Sequence, residues 1–228
     1  MAHPIIGILG AGKLGTTLAR IGRQAGYPMQ IASTHHPDQI RWIIDTVAPG
    51  TVTVEAAELV ATSDIVILAI PLPHYHQLDP TAFADKVVFD ATNYWFETDG
   101  TENTISDLTH SSSEVIQAHL AQSQVVKVFN HMGYHDLEIE VDRHPSVKRA
   151  MAYATDYDAV RPLVETVVSD FGLAPLDLGP LRFGLLLEPG SPLFGEAIPV
   201  SEFKAKLATI NQSEFGRKVT EARGQWLA

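Results

Sequence analysis

The chain alternates between two hydrophobic rhythms. Short, nearly unbroken apolar runs occupy residues 4–9, 28–33, 64–70, 85–90 and 124–129, with a briefer one at 51–54. Runs of this kind, bounded by polar or glycine residues, are what strands covered on both faces require. Between them the spacing turns helical. Leu14, Leu18, Ile21 and Ala25 fall on one face of residues 13–25, and Gly26 ends that segment. Residues 36–47, with Pro37 in the first turn, then 55–62 and 113–121, read as further helices.

Strand–helix–strand repetition with short links predicts an α/β chain, a Rossmann-like doubly wound and mainly parallel sheet with helices on both faces. Residues 147–154 and 174–178 add two strands, separated by a helix over 158–171 whose start is limited by Pro162 and whose end is set by Gly172. A helix over 202–210 closes the tail. The expected organisation is one dinucleotide-binding domain: a core over 1–145 and an extension over 146–228, with a few extra C-terminal strands and helices on the same sheet. The polar segment 94–112, and the turn expected at 130–134, interrupt the rhythm at the ends of the fifth and sixth strands. A loop as long as 94–112 is either an active-site lid or a surface insertion.

Composition narrows the function classes. The 228 residues carry 16 basic and 27 acidic side chains, a formal net charge of −11, so general attraction to nucleic acid is not expected. With no cysteine, disulfides, thiolate nucleophiles and cysteine-based zinc sites are excluded. The start of the chain lacks a basic segment followed by a long apolar one, and no run reaches the ~20 apolar residues of a membrane helix. A cytoplasmic protein with no membrane association is the expectation.

The first strand runs into Gly10-Ala11-Gly12-Lys13-Leu14-Gly15. The G-x-G-x-x-G pattern gains force from opening a helix directly after a strand. Gly10 permits the tight turn, Gly12 lets backbone approach a diphosphate, and Gly15 lets helix and strand pack closely. Free amides and the helix dipole then face the anion. A lysine in the first helical turn, Lys13, is disfavoured by that dipole, and a nearby anion accounts for it. At the end of the second strand, where NAD enzymes usually place an acid, stand Ser33, Thr34, His35 and His36. Hydroxyls and imidazoles donate to a 2′-phosphate that a carboxylate would repel, so NADP(H) is favoured over NAD. The plain alternative is a helix-capping loop.

Taken together, IIGILGAGKLGTTLAR, SDIVILAIPLPHY, VVFDATNYW, SSSEVIQAHL, VVKVFNHMGY and GLAPLDLGPL occur in an order and spacing that resembles the coenzyme F420-dependent NADP oxidoreductase family. That family includes the NADPH:F420 reductases and the related reductase domain of STEAP-type proteins. The resemblance implies direct hydride transfer between nicotinamide and a flavin or deazaflavin such as F420, a small-molecule redox partner. It matches Gly10, Gly12 and Gly15 to the phosphate loop, and Ser33 to His36 to the 2′-phosphate loop, where relatives often carry arginines. It also matches Ile70, Pro71, Leu72 and His74 to the nicotinamide side. Asn93, Asn130, His131 and Met132 fall at the carboxyl edge of the sheet, where ligands of this fold bind. Ala11 and Leu14 complete the loop contacts. No catalytic acid or base is assigned, since cofactors carry such chemistry and the protein aligns them.

Ten histidines invite a metal reading, but neither the pair His74 and His76 nor His131 and His135 has a third ligand within reach of the pattern, and no metal is expected. His76, His110, His119 and His144 read as solvated. Two other functions remain open: another NADPH-dependent reductase built on the same first half, and an NADP(H)-binding sensor without turnover. The first usually appends a helical domain, whereas here strands precede a short tail. The apolar stretch 181–187 packs either on its own sheet or on a second subunit, as in a homodimer.

Overall fold

The computed structural model describes residues 3–95, 99–100, 105, 107–143 and 146–224. Eight strands form one sheet: β1 Ile6–Leu9, β2 Met29–Ala32, β3 Val52–Thr53, β4 Ile65–Leu68, β5 Val87–Asp90, β6 Gln124–Lys127, β7 Ala150–Thr155 and β8 Ala174–Asp177. Their order across the sheet is β3-β2-β1-β4-β5-β6-β7-β8. All neighbours pair in parallel except β6 and β7, where Val126 faces Thr155 in antiparallel register.

β1 (IGIL) and β4 (IVIL) are buried at every position, so helices must cover both faces. On one face lie α1 (Lys13–Gln24), α2 (Pro37–Val47), α5 (Tyr134–Arg143) and α6 (Arg161–Asp170). They pack Leu18, Ile21, Ile44, Leu137, Val164 and Phe171 over Ile8, Ile31, Phe89 and Val126. On the other, α3 (Ala56–Thr62) and α4 (Ser112–His119) bring Leu59, Val60 and Ile116 against Leu68, Val88 and Val125. The 3-10 segment Leu181–Leu187, α7 (Val200–Ala208) and α8 (Glu214–Arg223) cover the β7–β8 end, with Leu186, Phe203 and Val219 buried. The apolar stretch 181–187 therefore finds cover within its own chain.

Local chemistry explains several boundaries. His36 caps α2, its Nδ1 accepting from Asp38 N at 3.3 Å, and Pro37 takes the first helical position. Ser111 and Glu114 form a reciprocal capping box that starts α4. Three expectations change. The seventh strand begins at Ala150 rather than 147, because Val147 is exposed and outside the sheet register. Tyr134 belongs to α5, not to the turn that precedes it. A second tail helix, α8, follows α7. The 94–112 loop is only partly among the described residues; it returns through an Asp107–His110 bridge to the cap of α4.

Candidate functional site

Because α1 crosses from β1 to β2 and α3 carries the chain back to β4, the strand order reverses between β1 and β4. Clefts open at the carboxyl ends of strands at such a point. Here a cleft of about 1220 Å³ runs along those ends.

Its first part is the glycine turn. Gly10 has φ +116°, and a Cβ there would strike the Ala69 carbonyl of the loop after β4; a Cβ on Gly15 would strike the Gly10 carbonyl. Both positions thus demand glycine, for conformation and close approach respectively. Gly12 differs: a Cβ there would meet nothing within 4 Å. That space lies beside the start of α1, which has no side-chain cap and no acid in its first turn. Orphan amides, a positive dipole end and open space fit a diphosphate without any protein group competing for it. Gly10, Ala11, Gly12 and Leu14 line the cleft; Gly15 is buried behind them, and Lys13 extends over the Tyr134 ring, 5.4 Å from its centroid.

Ser33, Thr34 and His35 line the next stretch. Ser33 Oγ accepts from His35 N at 3.0 Å, which curls the loop. His36 does not line the cleft. Its ring caps α2 and lies 3.6 Å from Asp38 and 3.7 Å from Glu55. Beside this loop Ile40, Ile43 and Ala56 form an apolar wall that the sequence reading missed. Ile43, 40% exposed, was the available signal: an isoleucine on the outer part of a helix next to a predicted phosphate loop.

Ile70, Pro71 and His74 line the middle, while Leu72 is fully buried in the core beneath them. Opposite stand Asn93 and Asn130, locked to each other. Asn93 Nδ2 donates to Asn130 O at 2.8 Å, and Asn130 Nδ2 donates to Asn93 Oδ1 at 3.0 Å and to Leu187 O at 2.6 Å. The chain reaches Asn130 through Phe129, held at φ +65° by stacking on Phe171. A non-glycine residue there costs roughly 1–2 kcal/mol, so surrounding packing enforces the turn.

Behind this edge lies a charged network with no solvent contact at Lys127 or Asp90. Lys127 Nζ donates to Asp90 Oδ2 at 3.0 Å, to Thr92 O at 2.7 Å and to Ser112 Oγ at 3.1 Å. Asp90 also accepts from Ser113 Oγ, Thr92 N and Thr92 Oγ. Ser112 in turn donates, through N and Oγ, to Glu188 Oε1. Burial pushes the Glu188 carboxyl above its usual range, opposed by Lys127 and the Ser112 bonds. The network fastens the Thr92–Asn93 turn to the C-terminal segment. A lysine inside an apolar strand was its sequence signal, and the reading passed over it.

His131 and Met132 line the cleft beyond Asn130, but the His131 ring turns toward β7. Nε2 accepts from Ala152 N at 3.0 Å and the ring packs edge-on to Phe203. An acceptor at Nε2 fixes the neutral tautomer with its proton on Nδ1, and burial holds the pKa down to about 4. His131 O accepts from Gly195 N at 2.7 Å, drawing in the segment that carries Phe194. Phe194 lies edge-on to Trp95 at 5.7 Å, and with Tyr134 these rings wall the far end. None of the three was foreseen. Among the other histidines, His119 is not solvated but bonds Leu78 O at 2.9 Å and packs on Tyr75; His76 and His110 are exposed, and His144 lies outside the described residues. Among the described residues no group of three His, Asp or Glu side chains could hold a metal, and no helix is long and apolar enough to cross a membrane.

Sheet order, glycine turn and cleft define the class, an α/β domain of the Rossmann type. More particularly, residues 5–94 match the model of the family described as NADP oxidoreductase, coenzyme F420-dependent. Among solved structures, a hypothetical protein from Sinorhizobium meliloti is 25% identical, with a TM-score of 0.75 over 87% of this chain and 96% of that one. A protein from Arthrobacter, provisionally described as an F420-dependent NADP reductase, is 21% identical, with a TM-score of 0.66 over 79% and 86%. An imine reductase from a Pseudomonas species, 18% identical, shares the fold with a TM-score of 0.55 over 90% of this chain and 61% of that one. No curated protein matches the chain significantly.

Proposed function

We propose that the protein transfers a hydride between NADP(H) and a planar flavin or deazaflavin acceptor of the F420 kind. One observation carries this reading: a single cleft continues from an uncapped helix start, past a loop of hydroxyls and an imidazole, to an aromatic-walled end at the same sheet edge. The nicotinamide supplies the redox chemistry when bound. The amides at Gly12 to Leu14 would hold its diphosphate, and Ser33, Thr34 and His35 the 2′-phosphate. Ile70, Pro71 and His74 would back one face of the nicotinamide, with the locked Asn93–Asn130 pair setting the opposite wall. Trp95 and Phe194 would keep water from the acceptor. Such alignment and exclusion are the protein's share in hydride transfer.

The test is NADPH oxidation by the purified protein with F420, flavins and ferric acceptors in turn. Turnover with a flavin or deazaflavin supports the reading. Tight NADPH binding without turnover on any of them favours a sensor, and turnover on ferric ion alone would contradict the acceptor class.

A further inference from the structure

The loop after β2 differs in kind from the glycine turn. The start of α1 is open, whereas the start of α2 is filled. Pro37 has no N–H, Asp38 N donates to His36 Nδ1 at 3.3 Å, and Gln39 N donates to His36 O at 2.9 Å. Ser33 is engaged too, its Oγ accepting from His35 N at 3.0 Å and donating to His35 O at 3.3 Å. The side chains left facing a phosphate at this end are the exposed Thr34 and His35. The neighbouring charges are taken up elsewhere. On α2, Asp38 holds Arg41 at 2.8 Å and lies 3.6 Å from His36. Ahead of α3, Glu55 lies 3.7 Å from His36 Nε2, with Glu58 in the turn beyond. On α1, Lys13 stands over the ring of Tyr134, which opens α5 after β6, four places across the sheet from β2. Arg20 pairs with Glu138, and Arg23 donates to Tyr27 O, ahead of β2. No lysine or arginine is among the described residues lining the cleft; of its other histidines, His74 lies on the nicotinamide side and His131 is buried and neutral.

A guanidinium keeps its charge at every physiological pH, whereas an imidazole is cationic only below its pKa, ordinarily about 6.5. Once neutral it retains a single N–H and loses the charge that strengthens a bond to phosphate. Resting on the NADP(H) reading above, we infer that His35 selects the 2′-phosphate as an imidazolium, so that preference for NADP(H) over NAD(H) is coupled to uptake of a proton and declines as pH rises. NAD(H) lacks that phosphate, and its binding carries no such dependence. Charge assistance roughly doubles the strength of a hydrogen bond, which is about a tenfold difference in affinity between the two protonation states. By linkage, a tenfold difference moves the titration about one pH unit upward in the complex. About fivefold of the loss then falls between ~pH 6.5 and ~8.5, with about half a proton taken up per NADP⁺ at ~pH 7. The second ionisation of a phosphate monoester, near ~6, lies below this range.

The experiment is calorimetry of NADP⁺ and NAD⁺ binding to the full chain between ~pH 6.5 and ~8.5, in buffers of different ionisation enthalpy, so that affinity and proton uptake are read together. The ratio of the two affinities cancels His74 and every other group that both cofactors meet. Expected for the parent is a preference for NADP⁺ that falls about fivefold across the range, with proton uptake on binding NADP⁺ and none on binding NAD⁺. His35→Arg should keep the preference, hold it level with pH and abolish the uptake; His35→Gln should lower the preference and also hold it level. A level preference in the parent, or a slope or proton uptake that survives His35→Arg, overturns the inference and leaves the cofactor reading in place. Failure of NADP⁺ to bind at any pH removes the cofactor assignment and this inference together.

Discussion

Replacing Lys127 by methionine isolates the energetics of the buried network. Methionine keeps most of the aliphatic stem but deletes the cation paired with Asp90, where both side chains are 0% exposed. Removing one partner of a buried pair costs about 3–5 kcal/mol, because the remaining charge stays desolvated. Asp90 would retain Ser113 Oγ, Thr92 N and Thr92 Oγ as donors, so the lower end, about 3 kcal/mol, is expected. For a chain of this size that is a fall of roughly 6–12 °C in Tm, at 2–4 °C per kcal/mol. Denaturant unfolding of Lys127→Met, Asp90→Asn and the double variant completes a cycle. The double variant should be more stable than the sum of the singles by at least ~1 kcal/mol, since it leaves no unpaired charge. A loss under ~1 kcal/mol for Lys127→Met, or strict additivity, would refute the network as a paired unit.

Further outcomes follow from the same geometry. His131 is neutral in the fold with its pKa near 4, against 6.5 for the ordinary imidazole, so the unfolded chain binds the extra proton first. Stability should accordingly fall by roughly 3 kcal/mol as pH drops from 6.5 to 4, and His131→Gln should flatten that part of the profile in urea melts; an unchanged slope argues against the fixed tautomer. Glu188 is raised by burial, so folding is opposed once pH exceeds the ordinary carboxyl range. Glu188→Gln keeps an oxygen for Ser112 and should match or exceed the parent in stability at pH 8, with its relative advantage shrinking toward pH 4; marked destabilisation at pH 8 would count against this. His35→Ala should weaken NADPH about tenfold through loss of a charge-assisted bond and leave NADH unchanged, as measured by calorimetry. Equal losses for both cofactors would move the 2′-phosphate elsewhere.

The succession of strands and helices and the glycine turn were legible because their signals are local: apolar runs, helical spacing, and glycines where backbone crosses backbone. α5 was missed because Leu137, Ile139 and Val141 alternate with acids, a two-residue rhythm that hides a helix whose buried positions include Leu137 and Glu140. The acceptor wall escaped for a different reason. Phe194 and Gly195 meet Trp95 and His131 only through contacts between residues far apart in the chain, and nothing in the neighbouring sequence encodes them. His36 stood one residue past the cleft, and its capping of α2 decided its orientation. Lys127 was visible as a charge in an apolar strand, but only the fold supplies Asp90, Thr92 and Ser112 around it.

The central claim is that the turn at Gly12 holds a dinucleotide diphosphate. Gly12 has φ −78° and open space beside it, so alanine fits the fold and intrudes only where the ligand would lie. Titrating NADPH into the parent and into Gly12→Ala, with a melting curve for each, should give saturable binding by the parent, at least ~tenfold weaker binding by the variant, and equal Tm values. Equal affinities, or a parent that takes up no NADPH at millimolar concentration, would contradict the account.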